Sequence, residues 1–392
     1  MKKSSELKTL YAEIFKEEPS NLYIGYAPGR VEILGNHTDY NKGFVLTAAI
    51  DQKTYCFGTL RDDEKVIIHA LDIGEAIEFN INNPPLQEKG HWGNYFIGVL
   101  NIIKEKSSIL KGFQIAITSE VPMSAGCSSS ASIEASFAYF LNETNQLHLN
   151  KQEIAQICQK AENEYAGVMC GLMDQWSVVH GQKNNLVYFD NDTLKTNLMS
   201  LGEEDIFMLV FNTQIKHTLI DSKYNDRREE CQKVVDECKK RGFNIDSLRG
   251  LSIKDLPSIN KFLNSTIYRR AKHVIEENHR IQTLVDASYE NQPQLLKSFM
   301  LDSHHSSKDQ FENSCPELDF VVDQLYLEKG CLGAKLSGGG FGGCVVALVN
   351  PNEAENIQAT IEKAYIEKFP DLKPLDTIQT LPGDGAGFIE TK

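Results

Sequence analysis

The residues best able to do chemistry begin in a stretch of the chain, 27–46, that reads APGRVEILGNHTDYNKGFVL. Arg30 is a permanent cation, Asp39 is a hydrogen-bond acceptor, and Asn36 both donates and accepts. Polar groups of this kind, set between glycines in an otherwise apolar stretch, suit a site that binds a polyhydroxylated ligand. The same residue types are ordinary in turns, so the stretch by itself leaves a polar hairpin turn as an equal alternative.

A serine-rich stretch, 121–134, reads VPMSAGCSSSASIE and lies between a predicted strand and a predicted amphipathic helix. Small residues let the backbone approach a phosphate closely, and the first N–H groups of a helix point at an anion. The stretch lacks the lysine of the GxxxxGK[ST] loop and does not fit GxGxxG. It predicts a phosphate site, and the alternative is a serine cap on a core helix.

A glycine-rich stretch, 337–344, reads SGGGFGGC and is followed by an apolar run. Its five glycines are unfavourable in a strand, because each costs conformational entropy and packs no side chain. The stretch therefore predicts a backbone that lies against a ligand, with a flexible surface turn as the alternative. Lys335 just before it is a candidate nucleotide ligand, although a solvated lysine is the more common outcome.

The composition limits the classes of protein to which the chain can belong. The 392 residues allow two or three domains at about 100–200 residues each. A net charge of -14 argues against non-specific binding to nucleic acid, which needs a basic face. We find no apolar run of signal-peptide or membrane-helix length, so we expect no membrane association. The nine cysteines, an odd number without a CxxC pair, predict reduced thiols in the cytoplasm.

Hydrophobic periodicity predicts an α+β chain with domains at 1–205 and 206–392. The predicted strands are 22–27, 31–35, 44–50, 53–60, 65–70, 112–119, 185–190, 206–212, 333–337, 344–349 and 385–390. The predicted helices are 5–18, 92–107, 129–141, 151–166, 222–240, 265–288, 292–302, 316–329 and 351–368.

The three stretches together resemble, in order and spacing, the motifs of the GHMP small-molecule kinases, and 27–46 is similar to the galactokinase signature. Stretches 161–182, 212–231, 306–322 and 382–387 extend the resemblance over nearly the whole chain. It implies an N-terminal domain like the second domain of ribosomal protein S5, a C-terminal ferredoxin-like domain, and an active site in the cleft between them. It also implies an ATP-dependent sugar 1-kinase that makes galactose 1-phosphate.

The resemblance also implies roles for individual residues. Asp174 takes the position of the carboxylate that accepts the hydroxyl proton, and Arg30 that of the cation that stabilises the transition state. Mg²⁺ would be held by Ser130 and Glu162. The implied sugar-binding residues are Asn36, His37, Thr38, Asp39 and Tyr224. The implied ATP-binding residues are Ser124, Ala125, Gly126, Cys127, Ser128, Ser129 and Ser130.

Three positions depart from the family pattern. Asn36 stands where galactokinases usually carry a glutamate that accepts from the 6-hydroxyl of the sugar. An amide there would tolerate a carboxylate on C6, so galactose and a C6-altered sugar such as galacturonate both remain candidate substrates. Ser124 and Cys127 replace the usual Gly and Leu, which we expect to tune nucleotide affinity. A non-catalytic sugar and ATP sensor is a further alternative, and we expect a monomer, with a dimer as the other possibility.

Overall fold

Two β-sheets organise the chain in the computed structural model, which describes residues 4–106, 110–122, 126–200, 206–216, 220–287 and 292–391. The strands are β1 (Leu22–Leu34), β2 (Phe44–Leu60), β3 (Lys65–Ala70), β4 (Glu75–Asn80), β5 (Phe113–Ser119), β6 (Asn185–Asp190), β7 (Lys195–Ser200), β8 (Phe207–Lys216), β9 (Cys331–Ser337), β10 (Gly342–Val349), β11 (Asp376–Thr380) and β12 (Gly387–Thr391).

Helices pack on both sheets. They are α1 (Ser4–Phe15), α2 (Asn94–Lys106), α3 (Ser129–Thr144), α4 (Lys151–Ala161), α5 (Met173–His180), α6 (Ile220–Lys240), α7 (Leu256–Ile259), α8 (Ser265–Asp286), α9 (Gln292–Ser306), α10 (Pro316–Leu325) and α11 (Ala354–Lys368). None of the described helices combines the length and the apolar character that crossing a membrane requires.

The first sheet contains eight of the described strands, in the order β12-β1-β2-β5-β3-β4, with β6 beside β2 and β7 beside β6. Its neighbours are antiparallel except for β3 and β5. The chain returns to this sheet at its end, where β12 pairs with the start of β1. The sheets therefore divide the chain differently from the predicted ranges 1–205 and 206–392, because β12 of the second range covers the edge that β1 would otherwise expose.

The second sheet has the order β11-β8-β10-β9 and is antiparallel throughout. Alternate residues of β10 enter two different cores. Val346 and Leu348 pack toward the first sheet, with Val31 and Ile33 of β1 in the same cluster. Val345 faces the opposite way, into the core formed with α10 and α11. The continuous apolar run of β10 is thus explained by burial on both faces.

Helix α3 lies directly on β1. A Cβ at Gly25 of β1 would collide with the backbone carbonyl of Ser136 in α3, so only glycine allows this approach. Phe137 and Phe140 of α3 then fill the core of the first sheet with the residues of α2, α4 and α5. This packing brings the N-terminal end of α3 close to the later part of β1, where the functional residues begin.

The helices and strands differ from the predicted ones in several respects, and the predicted helices include neither α5, which carries Asp174, nor the short α7. Each predicted pair of short strands, 22–27 with 31–35 and 44–50 with 53–60, is one long strand, and β1 crosses Pro28 with a shift of register rather than a break. The prediction also missed β4, β7 and β11. These are edge strands with few buried side chains, so they lack the apolar alternation on which the prediction depends.

Candidate active site

The centre of the site is an ion pair between Arg30 of β1 and Asp174 in the first turn of α5. Arg30 Nε and Nη2 lie 2.8 and 2.6 Å from Asp174 Oδ1. Arg30 Nη1 donates to the carbonyl of Gly126, 2.5 Å away. Burial by itself would lower the pKa of Arg30, but the charge and hydrogen bonds of Asp174 leave it raised, so the guanidinium stays charged. One side chain thereby joins β1, α5 and the serine-rich loop.

Ser128 holds the other oxygen of the same carboxylate. Its Oγ donates to Asp174 Oδ2 over 2.5 Å. Ser128 precedes α3 in a left-handed conformation, with φ of 55°, and its side chain makes no capping bond to the helix. The alternative of a serine cap is therefore wrong for this residue, because its hydroxyl is used by the carboxylate.

Two residues predicted to hold Mg²⁺ contact each other. The hydroxyl of Ser130, in the first turn of α3, hydrogen-bonds to Glu162, which lies where α4 passes into the π-helical turn Glu162–Ala166. Burial raises the pKa of Glu162 to about 7, and the charge on Asp174 adds to the effect. A hydroxyl and a buried carboxylate are oxygen donors of the kind that Mg²⁺ prefers, so these residues fit the ion.

Other carboxyl and amide side chains lie close to Glu162. Gln175 Nε2 donates to Glu162 Oε2 over 2.5 Å and lies 3.4 Å from Glu134 Oε2. Burial, and then the charge of Glu162, raise the pKa of Glu134 well above its ordinary value. Within the described ranges, no three His, Cys, Asp or Glu side chains form a ready metal cluster, so a bound cation would need oxygens from its ligand as well.

A cavity opens beside the Arg30–Asp174 pair, between residues of the first sheet and residues that follow β8. Its polar and aromatic wall contains Arg30, Glu32, His37, Asp39, Glu162, Asp174 and Tyr224, with the backbone of Gly338 and Gly339. Burial and, after it, the charge on Asp174 together raise the pKa of Asp39 to about 7. A Cβ at Gly171 would collide with the Asp39 carboxylate, so glycine is required opposite it.

His37 is part of the cavity wall, but both ring nitrogens are already used. Because the Gly339 carbonyl can only accept, His37 Nε2 carries the proton and donates to it over 3.1 Å. His37 Nδ1 then accepts from the Tyr40 hydroxyl at 2.9 Å. Burial lowers the pKa of His37 to about 3, which keeps the ring neutral. The ring packs against Tyr224, with centroids 5.1 Å apart, so His37 positions the wall.

Asn36 does not reach the cavity. It is fully buried, and its Nδ2 donates to Glu32 Oε2 over 3.0 Å and to the Gly338 carbonyl over 2.7 Å. Its Oδ1 accepts from Asn313 at 2.9 Å and from Ser307 at 3.3 Å. With every side-chain hydrogen-bonding group occupied by the protein, Asn36 supports the wall from behind, and the direct sugar contact predicted for it has no geometric basis.

Thr38 is likewise internal. Its hydroxyl lies between the carbonyls of Gly35 and Phe44, at 2.8 and 2.5 Å, where it holds the turn after β1. Of the five predicted sugar-binding residues, the structure brings His37, Asp39 and Tyr224 to the cavity and leaves Asn36 and Thr38 behind it.

Sequence reasoning missed Glu32 and misjudged Lys335. Glu32 is part of the cavity wall, and its Oε1 is 2.5 Å from Lys335 Nζ. Both side chains are almost completely buried, so Lys335 is not the solvated lysine that was expected, nor does it face a nucleotide site. A glutamate within a β-strand carries no sequence signal of such a role, since its partner is about 300 residues away in the chain.

The glycine-rich stretch is packed against the serine-rich loop. A Cβ at Gly338, where φ is +83°, would lie 3.4 Å from the Gly126 carbonyl. Below this contact the buried thiols of Cys127 and Cys344 interact. The alternative of a flexible surface turn is therefore wrong for this stretch.

A second, mostly apolar pocket lies on the other side of the start of α3. Its wall includes Ile73, Trp92, Tyr95, Ile133, Ser129 and Ser130. The two serines are among the predicted ATP-binding residues, whereas the aromatic residues had no motif to identify them. Ser124 and Ala125, also predicted to bind ATP, lie outside the described residues.

Comparisons with known proteins agree with this geometry. Family models match residues 94–182 (GHMP kinases N terminal domain), 271–367 (GHMP kinases C terminal) and 9–59 (galactokinase galactose-binding signature). A galactokinase of Thermotoga neapolitana is 36% identical over 343 residues, covering 88% of this chain and 94% of that protein. A galactokinase of Glaesserella parasuis serovar 5 is 38% identical over 346 residues, covering 87% and 88%.

Among solved structures, Lactococcus lactis galactokinase complexed with galactose matches with a TM-score of 0.90 at 30% identity, covering 97% of this chain and 98% of that chain. The predicted two-domain α+β architecture of the GHMP kinases is thereby confirmed. By its sequence and its fold, the chain belongs to the galactokinase branch of the GHMP kinase family.

Proposed function

We propose that the protein is a galactokinase, which transfers the γ-phosphoryl group of ATP to the anomeric hydroxyl of galactose. The observation that carries the proposal is the Asp174 carboxylate, held by Arg30 and Ser128 where the polar cavity meets the start of α3. A hydroxyl in the cavity would lie next to an acceptor of its proton, and a phosphate at the start of α3 would lie next to a fixed cation. Phosphoryl transfer needs this juxtaposition above all.

Asp174 and Arg30 divide the chemical work. Asp174 orients the attacking hydroxyl and receives its proton as the new P–O bond forms. Arg30 pairs with that carboxylate before the reaction and opposes the negative charge that spreads over the transferred phosphoryl group. Because the guanidinium is fixed by Gly126 as well as by Asp174, it needs no rearrangement during the reaction.

ATP fits the second pocket and the serine-rich loop. The aromatic side chains of Trp92 and Tyr95 offer an apolar surface for the adenine, and the first N–H groups of α3 face the phosphates. Ser130 and Glu162 would hold Mg²⁺ between the two pockets. When bound, the ion neutralises phosphate charge and aligns the γ-phosphoryl group.

Two alternatives lose support. A galacturonate kinase was suggested by Asn36, but that residue is turned away from the cavity, whose wall carries the carboxylates of Glu32 and Asp39. A non-catalytic sensor would not need Arg30 and Asp174 as a bonded pair. We also propose a monomer, and the nine cysteines, none of which forms a disulfide, favour the cytoplasm.

The direct test is a coupled ADP-release assay with galactose, galacturonate, N-acetylgalactosamine, glucose and arabinose. We expect galactose to give the largest kcat/KM. Asp174→Asn keeps the shape of the side chain but removes the proton acceptor, so kcat should fall by about 10²- to 10⁴-fold. Asp236→Asn, on the exposed face of α6, is the matched control and should retain full activity. Unchanged turnover in Asp174→Asn would refute the role of this carboxylate.

The nucleotide site predicts a fluorescence change. The chain has two tryptophans, and Trp176 is buried and stacked on Phe189, far from solvent. ATP should therefore change the emission of Trp92 alone, and Trp92→Phe should abolish the change. Trp92→Ala should raise KM for ATP about tenfold, because a stacking surface worth about 1–3 kcal/mol is lost. An ATP response that persists in Trp92→Phe would place the adenine elsewhere.

The pKa of Asp39 predicts a pH dependence. In the free enzyme this carboxyl is protonated below about pH 7, and only the ionised form accepts two sugar hydroxyls. At saturating Mg²⁺ and ATP, kcat/KM for the sugar should rise with pH through about 7 and then level off. Asp39→Asn should lower the plateau at least tenfold and remove that rise. A rise of unchanged position and size in the variant would assign it to another group of the cavity wall, first of all Glu162, whose pKa is also raised to about 7.

A further inference from the structure

We propose that Glu32 is a determinant of sugar specificity: its carboxylate accepts a hydrogen bond from a hydroxyl on C4 or C6, at the end of the hexose remote from the reaction. This inference rests on the proposed sugar kinase function. It assigns the role to a residue in the strand, whereas the motif resemblance pointed to position 36 in the following turn.

Glu32 lies on the same face of β1 as Arg30. Arg30, Val31 and Glu32 pair in regular register with Ala49, Ala48 and Thr47 of β2. Residues two apart in a strand point to the same face, about 6–7 Å from each other. Arg30 and Glu32 therefore both face the cavity, and a sugar whose anomeric hydroxyl is at Asp174 extends toward Glu32.

Each carboxylate oxygen of Glu32 has one partner within the protein. Oε1 is paired with Lys335 at 2.5 Å, and Oε2 accepts from Asn36 at 3.0 Å. A carboxylate offers about four acceptor positions on its two oxygens, so these partners leave room for a donor from the cavity side. Lys335 compensates the charge of Glu32 from behind, which makes an ionised carboxylate at this depth sustainable. Asn36, whose bonds are all internal, fixes its orientation.

The consequence for substrate choice follows from charge. The described cavity wall carries the carboxylates of Glu32, Asp39, Glu162 and Asp174, while Arg30 is the cation among its side chains. A carboxylate on C6 of the sugar, as in galacturonate, would therefore be repelled by the carboxylate of Glu32. A site built to accept from a hydroxyl also rejects an analogue that lacks this hydroxyl, because the buried acceptor is then left unpaired.

The test compares galactose with 4-deoxygalactose, 6-deoxygalactose and galacturonate. In the wild type, at least one deoxy sugar should have kcat/KM about 10- to 100-fold below galactose, through the lost bond to a charged acceptor. In Glu32→Gln, the preference for galactose over that deoxy sugar should shrink to a few-fold. The preference for galactose over the other deoxy sugar should be retained. The ratio of galacturonate to galactose should rise at least tenfold, because the positive charge of Lys335 is then no longer compensated by Glu32 and attracts the sugar carboxylate.

Two further variants separate recognition from folding. Glu32→Gln leaves Lys335 buried without its partner, which is destabilising, so Glu32→Gln with Lys335→Met removes both charges. This double variant should lose the same deoxy-sugar preference without the gain for galacturonate. Glu78→Gln on β4, which breaks the exposed pair with Lys65 of β3, is the control and should leave every ratio unchanged.

The outcomes distinguish the inference from the function on which it rests. A wild type that releases no ADP with any hexose would refute the proposed function. If the wild type is active and its deoxy-sugar preferences persist unchanged in Glu32→Gln and in the double variant, the role of Glu32 is refuted, since a purely structural residue lowers kcat/KM for all sugars by the same factor. Calorimetric Kd ratios for the same sugars provide the readout for any variant too slow to assay.

Discussion

The buried contact between Arg30 and Asp174 is the constraint on which the site depends. It joins the first strand, the beginning of α5 and, through Gly126 and Ser128, the serine-rich loop. A buried guanidinium is tolerable only with such partners, so the elements that carry them must meet at one point. Two close approaches help to bring these elements together: α3 packs on β1 at Gly25, and the glycine-rich stretch packs on Gly126. The contacts that build the site are therefore the same contacts that hold these parts of the fold together.

Around this contact the protein gathers buried carboxyl groups. Burial raises the pKa of Asp39 and of Glu162 to about 7, and it raises the pKa of Glu134 well above its ordinary value. Such groups cost folding free energy when they ionise, which is typical of functional sites. In a kinase the cost is offset when Mg²⁺ and sugar hydroxyls arrive. Neutral His37 and the Asn36 network, by contrast, act as fixed scaffolding for the cavity wall.

Much of this could be predicted from the sequence. The polar stretch 27–46, the serine-rich loop and the glycine-rich stretch do lie close together. Each has a local composition that is unfavourable in an ordinary strand or helix, so each could be recognised from the sequence as part of a candidate site. The edge strands β4, β7 and β11 were missed, since exposed strands carry little apolar pattern. The direction of individual side chains was also beyond prediction. Asn36 is held by Gly338 and Asn313, and Glu32 is paired with Lys335, all of them partners that only the fold brings near.

The central claim is that Arg30 and Asp174 act together, and a double-mutant cycle on kcat tests it most directly. The cycle uses Arg30→Lys, Asp174→Asn and the double variant, each compared at saturating galactose and Mg²⁺-ATP. If the two residues form one catalytic assembly, the double variant should be no slower than the slower single variant by more than a few-fold. Losses that multiply would show that the two side chains contribute independently, and would contradict the account.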